Sequence, residues 1–207
     1  MDASRKIRCY CDNEVEFVVP EVIDLAAEPR AEAQILSGDF LSVRCDKCGK
    51  LLKPEFSARI VDSARKLELL LAPELDRDHF LMGKAEYTMH DSERGRIVFG
   101  YLELVEKLKI LREGLEDKVI EIIKYYLLRK AEGSESIQIY FHEIENGRIQ
   151  FHIHGLKEGE IGVSRVSRSL YDQILAELSG KAEEEPFRSI VTPPYVSIRK
   201  TLIEDEE

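Results

Sequence analysis

Two pairs of cysteines carry the clearest chemistry in the sequence. Cys9-Tyr10-Cys11 forms one knuckle and Cys45-Asp46-Lys47-Cys48-Gly49 the other; 33 residues separate them, and the chain has no further cysteine. Zn2+ holds four thiolates at about 2.3 Å in a tetrahedron, with neighbouring sulfurs about 3.8 Å apart. Cys45-x-x-Cys48 reaches that spacing in a tight turn, and Gly49 lets the chain leave with a positive φ. Cys9-x-Cys11 is tighter. In a flat strand its two side chains would share a face about 6.5 Å apart, so the chain must turn at Tyr10 for both to ligate, and a disulfide across so short a ring is strained. Cys9, Cys11, Cys45 and Cys48 are therefore read as the ligands of one Zn2+ per chain. Four protein ligands leave no open position for water or substrate, which makes the metal structural, a source of folding energy for a half with modest apolar runs. An iron centre of the same geometry uses the same residues. So do a redox Cys-x-x-Cys and a pair of inert thiol couples, but the redox reading needs Cys48 near a helix N-terminus, and the residues after Cys48 read as a strand.

His142, His152 and His154, with Glu143, are the second candidate set. Asn146-Gly147 is the preferred type I′ turn between two alternating segments, 137–144 and 148–154. A two-residue turn pairs Glu145 with Arg148, so His142 faces Phe151, His152 faces Phe141 and His154 faces Ile139. That register puts His142 on the core side with Tyr140, and His152 and His154 on the opposite side beside Glu143 and Gln150. The three histidines then meet only if a bulge shifts the register. An enzyme with its site near His152, His154 and Glu143 is the alternative function. No Ser-His-Asp order, phosphate-cradling glycine loop or H-E-x-x-H motif accompanies it.

The elements that must position these residues follow from the pattern. Segments 14–19, 22–25, 40–44, 51–61, 66–71 and 96–99 read as strands or extended chain, and Pro29 opens a short helix that Gly38 stops. Residues 74–94 carry no clean periodicity. Apolar positions from 101 to 130 recur at helical spacing, and Gly114 divides them into two helices. After the hairpin come a short strand at 160–163, a helix over 164–178 and a last strand over 195–203. The fold class is α+β: a zinc-ribbon-like, mainly β domain over 1–98, followed by an α+β region over 99–207 with two helices, a β-hairpin, a helix and a final strand.

The knuckles and their surroundings resemble a known family. Ile7-Arg8-Cys9-Tyr10-Cys11, Leu36-Ser37-Gly38-Asp39-Phe40 and Val43-Arg44-Cys45-Asp46-Lys47-Cys48-Gly49 are similar to the CpXC domain family, as are Leu104-Val105-Glu106-Lys107 and the segment 114–121. The resemblance covers about residues 5–130. It implies zinc binding and no known reaction, since these bacterial and archaeal proteins have no assigned function. Two departures stand out. Neither knuckle has proline after its first cysteine, and the first is one residue shorter than the usual Cys-Pro-x-Cys.

Bulk properties narrow the function classes. The 207 residues are 43% apolar and 34% charged, with a formal net charge of −10, which disfavours nucleic acid and anionic membrane surfaces as partners. No window approaches 18 uncharged apolar residues, and the polar start, residues 1–8, lacks a signal-peptide run. The expectation is a cytoplasmic protein, where reduced thiols favour metal over disulfide, with a protein-interaction or scaffolding role and a protein partner. A nucleic-acid-binding zinc ribbon ranks third, lacking basic-aromatic interleaving near the knuckles. The sequence carries no mark of oligomeric state.

Overall fold

Short alternating apolar runs, cut by proline and glycine, make the first part of the chain a set of small sheets. A computed structural model describes residues 3–89, 95–131 and 136–202, and the chain divides into two units, Met1–Val105 and Glu106–Glu207. In the first unit β1 (Ala3–Arg8) and β2 (Glu14–Val19) form an antiparallel hairpin in which Ile7 faces Val15 and Arg8 faces Glu14. Then follow β3 (Val22–Asp24), α1 (Pro29–Ser37), β4 (Val43–Arg44), β5 (Leu51–Leu52), β6 (Ala58–Asp62), β7 (Leu67–Ala72), α2 (Arg77–Leu81) and β8 (Arg96–Phe99), and α3 (Gly100–Arg112) begins. A four-stranded mixed sheet in the order β3-β6-β7-β8 is the backbone of this unit, with β4 and β5 as a separate two-stranded ladder. Proline sits in the first turn of α1, and Gly38 ends it with φ 79°, its amide bonding back to the carbonyl of Ile35. This is the left-handed stop for which glycine is suited. Ala31 and Ile35 of α1, one turn apart, are buried, as are Ile60, Leu69, Ile97 and Phe99 of the sheet. The interval without clean periodicity holds α2, whose buried Arg77 binds Glu74, the Phe99 carbonyl and Glu103 at 2.9 Å; residues 90–94 of that interval lie outside the described part.

The second unit takes the end of α3, α4 (Asp117–Lys130), β9 (Gln138–Glu145), β10 (Arg148–Lys157), β11 (Glu160–Ser167), α5 (Arg168–Lys181) and α6 (Phe187–Val191). The two helices part at Gly114, φ 63°, where the glycine predicts a stop. Asn146 and Gly147 both have positive φ, the requirement of a type I′ turn. The strands form an antiparallel meander, β11-β10-β9, and its inner residues Ile139, Phe141, Ile149, Phe151, Ile153 and Val166 share one buried cluster with Ile120 and Ile123 of α4 and Tyr171 and Ile174 of α5. Two expectations are corrected. The strand predicted over 160–163 runs on to Ser167, because residues 164–167 pair with 148–151 of β10, and the helix starts only where the Ser167 hydroxyl accepts the amide of Leu170. The final strand is not formed among the described residues. Tyr195, Val196 and Ile198 are buried, but the amides of Ser197 and Ile198 find the Ile190 carbonyl and the Glu121 carboxylate. Residues 198–201 then close a single 3-10 turn.

A buried charge cluster holds the helices of this unit. The Lys124 ammonium donates to Glu106 at 2.9 Å and to Glu121 at 2.8 Å, Lys107 donates to Asp117 at 2.9 Å, and all five side chains are buried. Two of the carboxylates also accept backbone amides, Glu106 that of Phe141 at 2.6 Å and Glu121 that of Ile198 at 2.9 Å. Burial pushes the Glu106 carboxyl up to about 7, against the pull of Lys124. Burial works against the Lys124 ammonium too, but Glu106 and Glu121 hold it above the usual lysine range.

Two outcomes follow. Lys124→Met strands two buried carboxylates and is expected to cost about 3–5 kcal/mol in chemical denaturation. Because the folded Glu106 carboxyl binds its proton more tightly than the unfolded one, its contribution to stability declines as pH rises from about 4.5 to about 7. Glu106→Gln should flatten that part of the stability–pH curve; an unchanged curve would contradict the assignment.

Candidate metal centre

Each cysteine pair sits in the turn of a hairpin, the first between β1 and β2 and the second between β4 and β5. The two turns are built alike. In the second, the Cys45 amide donates to the Lys50 carbonyl and the Gly49 amide to the Cys45 carbonyl, at 2.9 and 2.8 Å. In the first, the Cys9 amide donates to the Asn13 carbonyl and the Asp12 amide to the Cys9 carbonyl, both at 2.9 Å. Asp12, φ 63°, takes the left-handed place that Gly49, φ 73°, holds in the other. The first knuckle is thus the second with one residue removed from between its cysteines. This is how Cys9-x-Cys11, too wide in a flat strand, brings both thiols to one point.

The four sulfurs lie within 4.8 Å of one another. Cys9 Sγ is 3.5 Å from Cys48 Sγ, and Cys11 Sγ is 3.7 Å from Cys45 Sγ, close to the edge of a tetrahedron drawn around a thiolate-bound metal. Cys9 and Cys45 are buried, Cys11 is half-buried and Cys48 is exposed. Backbone amides aim at the inner sulfurs. The amide of Cys11 stabilises the Cys9 thiolate, but burial and the sharing of protons with the other cysteines push Cys9 up to about 12. The amides of Cys48 and Lys47 draw Cys45 down to about 6 against its burial. Thiols this close cannot all ionise by themselves, whereas a divalent cation among them deprotonates a coordinating thiol outright, so the donor set fits a metal ion. Three contacts that the cysteine spacing does not reveal tie the knuckles together. Asn13 Nδ2 reaches Cys45 Sγ at 3.7 Å and Asp46 Oδ1 at 2.6 Å, and the Lys50 ammonium lies 3.8 Å from the centre of the Tyr10 ring.

Residues 7–124, more than half of the chain, match the family model described as CpXC protein. The chain belongs to the CpXC family. The match spans all four cysteines and the five buried charges from Glu106 to Lys124. A protein of Treponema pallidum (strain Nichols), described as uncharacterized, is 26% identical to this CpXC chain over 215 residues, covering 95% of this chain and 98% of its own. No solved structure matches.

His142, His152 and His154 lie beyond the CpXC match, and their expected arrangement is corrected. Glu143 pairs with Gln150 as the turn dictates, but Phe151 pairs with Phe141, so the register shifts by one and His142 has no partner across the ladder. The shift turns Phe141 inward, edge-on to Phe151 at 6.3 Å, a burial worth about 1.5–3 kcal/mol. It turns His142 outward, against the expectation that it faces the core; its ring stacks on His152 with centroids 3.7 Å apart. His154 packs instead on Tyr140 at 5.9 Å. Burial, helped by His142, His154 and Lys109, holds His152 below its ordinary range. A cleft of about 520 Å³ at the β10–β11 turn is lined by His154 but by neither His142, His152 nor Glu143. The side chains proposed for an enzyme therefore do not converge on it. Among the described residues no helix is long and apolar enough to cross a membrane.

The shared turn geometry is open to a direct check. Gly49→Ala meets no atom within 4 Å but keeps a positive φ, and should destabilise the N-terminal unit by about 1 kcal/mol, whereas Asp12→Gly should be neutral or stabilising by a few tenths. Thermal melts of the metal-loaded variants decide it; equal losses at both positions would contradict the equivalence of the two turns.

Proposed function

We propose that Cys9, Cys11, Cys45 and Cys48 hold one Zn2+ as a closed structural centre, in the manner of a zinc ribbon. On this reading the protein is a non-enzymatic, cytoplasmic interaction or scaffolding module whose partner is another protein. The observation that carries the reading is the donor set: four sulfurs mutually within 4.8 Å fill a tetrahedral sphere and leave no place for substrate. Thiolate ligands select zinc or iron over hard cations, and zinc needs no redox partner. The net charge of −10 speaks against a polyanion as partner.

Elemental analysis of the native protein should return about one zinc per chain. Cys48 is exposed, so Cys48→Ser removes little packing, and loss of the cooperative transition of the N-terminal unit in that variant would report ligation and not a cavity. Chelation should produce the same loss. A Cys48→Ser protein that keeps its metal and its melting transition would overturn the proposal.

A further inference from the structure

The N-terminal unit contains a cavity of about 390 Å³ to which no cysteine contributes. Its volume falls in the range of small-molecule sites, and like them it is mainly apolar with a few polar groups at its edge. Phe40 and Leu71 form its buried floor, and Tyr101 and Val105 of α3 a half-buried wall, with the Phe40 and Tyr101 rings 6.0 Å apart. Leu41, also on the lining, holds a φ of 50°. A branched aliphatic residue seldom adopts that conformation, and such strain persists where a site needs a side chain in a particular place.

The polar edge is asymmetric. Lys53 lines the cavity and its ammonium donates to the Gly38 carbonyl at 2.6 Å, yet it makes no ion pair among the described residues. Glu55, also at the edge, has one carboxylate oxygen engaged by the amide of Glu74 at 2.8 Å. A cation anchored by one hydrogen bond, with donors to spare beside an apolar chamber, suits a carboxylate carried on an apolar body.

We propose that this cavity binds a small amphiphile, a medium-length acyl chain ending in a carboxylate. The chain lies against Phe40, Leu71, Tyr101 and Val105, and the carboxylate pairs with Lys53. The site does not depend on the metal reading.

The test uses the full-length, metal-loaded protein and calorimetric titration with decanoate, with decanol as the neutral probe of equal length. Decanoate should bind saturably, one per chain, and raise the melting temperature; decanol should bind at least tenfold more weakly. Lys53→Met should remove that difference. Val105→Trp fills the chamber and should abolish binding of both probes. Should that variant fail to fold, Leu102→Glu serves, because Leu102 lines the rim and is 59% exposed; it should weaken decanoate at least tenfold and leave decanol unchanged. Absence of saturable decanoate binding to the folded protein overturns the proposal. So does equal affinity for the two probes, and so does undiminished decanoate binding by a folded Val105→Trp or Leu102→Glu chain.

Discussion

The contact among four sulfurs is the constraint on which the knuckle module depends. Its buried cluster consists of Cys9, Val15, Cys45 and Leu52, with Ile7, Cys11 and Val43 only partly covered. Two of the four buried members are thus ligand candidates, and what remains is too small to fix two hairpins by hydrophobic burial. β4 and β5 are two residues each, and a two-stranded ladder is marginal in water at best. A metal held by these sulfurs would tie 9 to 48 and 11 to 45, pairs far apart in sequence, and so would close long loops that the short ladders cannot close alone. On the proposed reading, metal–sulfur bonds stand in this core where larger proteins place leucine and phenylalanine.

Much of this was legible in the residue types. Cysteine at 9, 11, 45 and 48 marked the four sulfurs that the fold brings together, glycine at 38, 114 and 147 marked real stops and turns, and proline at 29 marked a helix start. The short spacing of the first knuckle was the anomaly, and its resolution lies in the backbone. Asp12 adopts a left-handed conformation that no rule about cysteine spacing anticipates, although aspartate is among the few non-glycine residues that tolerate it.

The histidine register and the charge cluster were not legible, for related reasons. Counting outward from Asn146-Gly147 assumes an unbroken ladder, which would put Ile139 and Phe141 outward and His142 inward. The two apolar threads, 137-139-141 and 149-151-153, face each other only if one residue is left out of the pairing, and the gain from burying phenylalanine exceeds the loss of one ladder position. The amide of Phe141, beside the bulge, is taken up by Glu106. That carboxylate, with Lys107, Asp117, Glu121 and Lys124, would pass in a sequence for the solvated side of two amphipathic helices. Each buried charge there is matched by an opposite one or by a backbone group, and such matching is invisible to periodicity because it joins residues on different elements.

On the proposed reading four cysteine thiolates alone surround one zinc ion. X-ray absorption at the zinc edge of the native protein reads that coordination shell. A closed thiolate site predicts a first shell of four sulfurs at about 2.3 Å with no lighter ligand. A shell containing nitrogen or oxygen at about 2.0–2.1 Å, or a protein that carries no zinc, would contradict it.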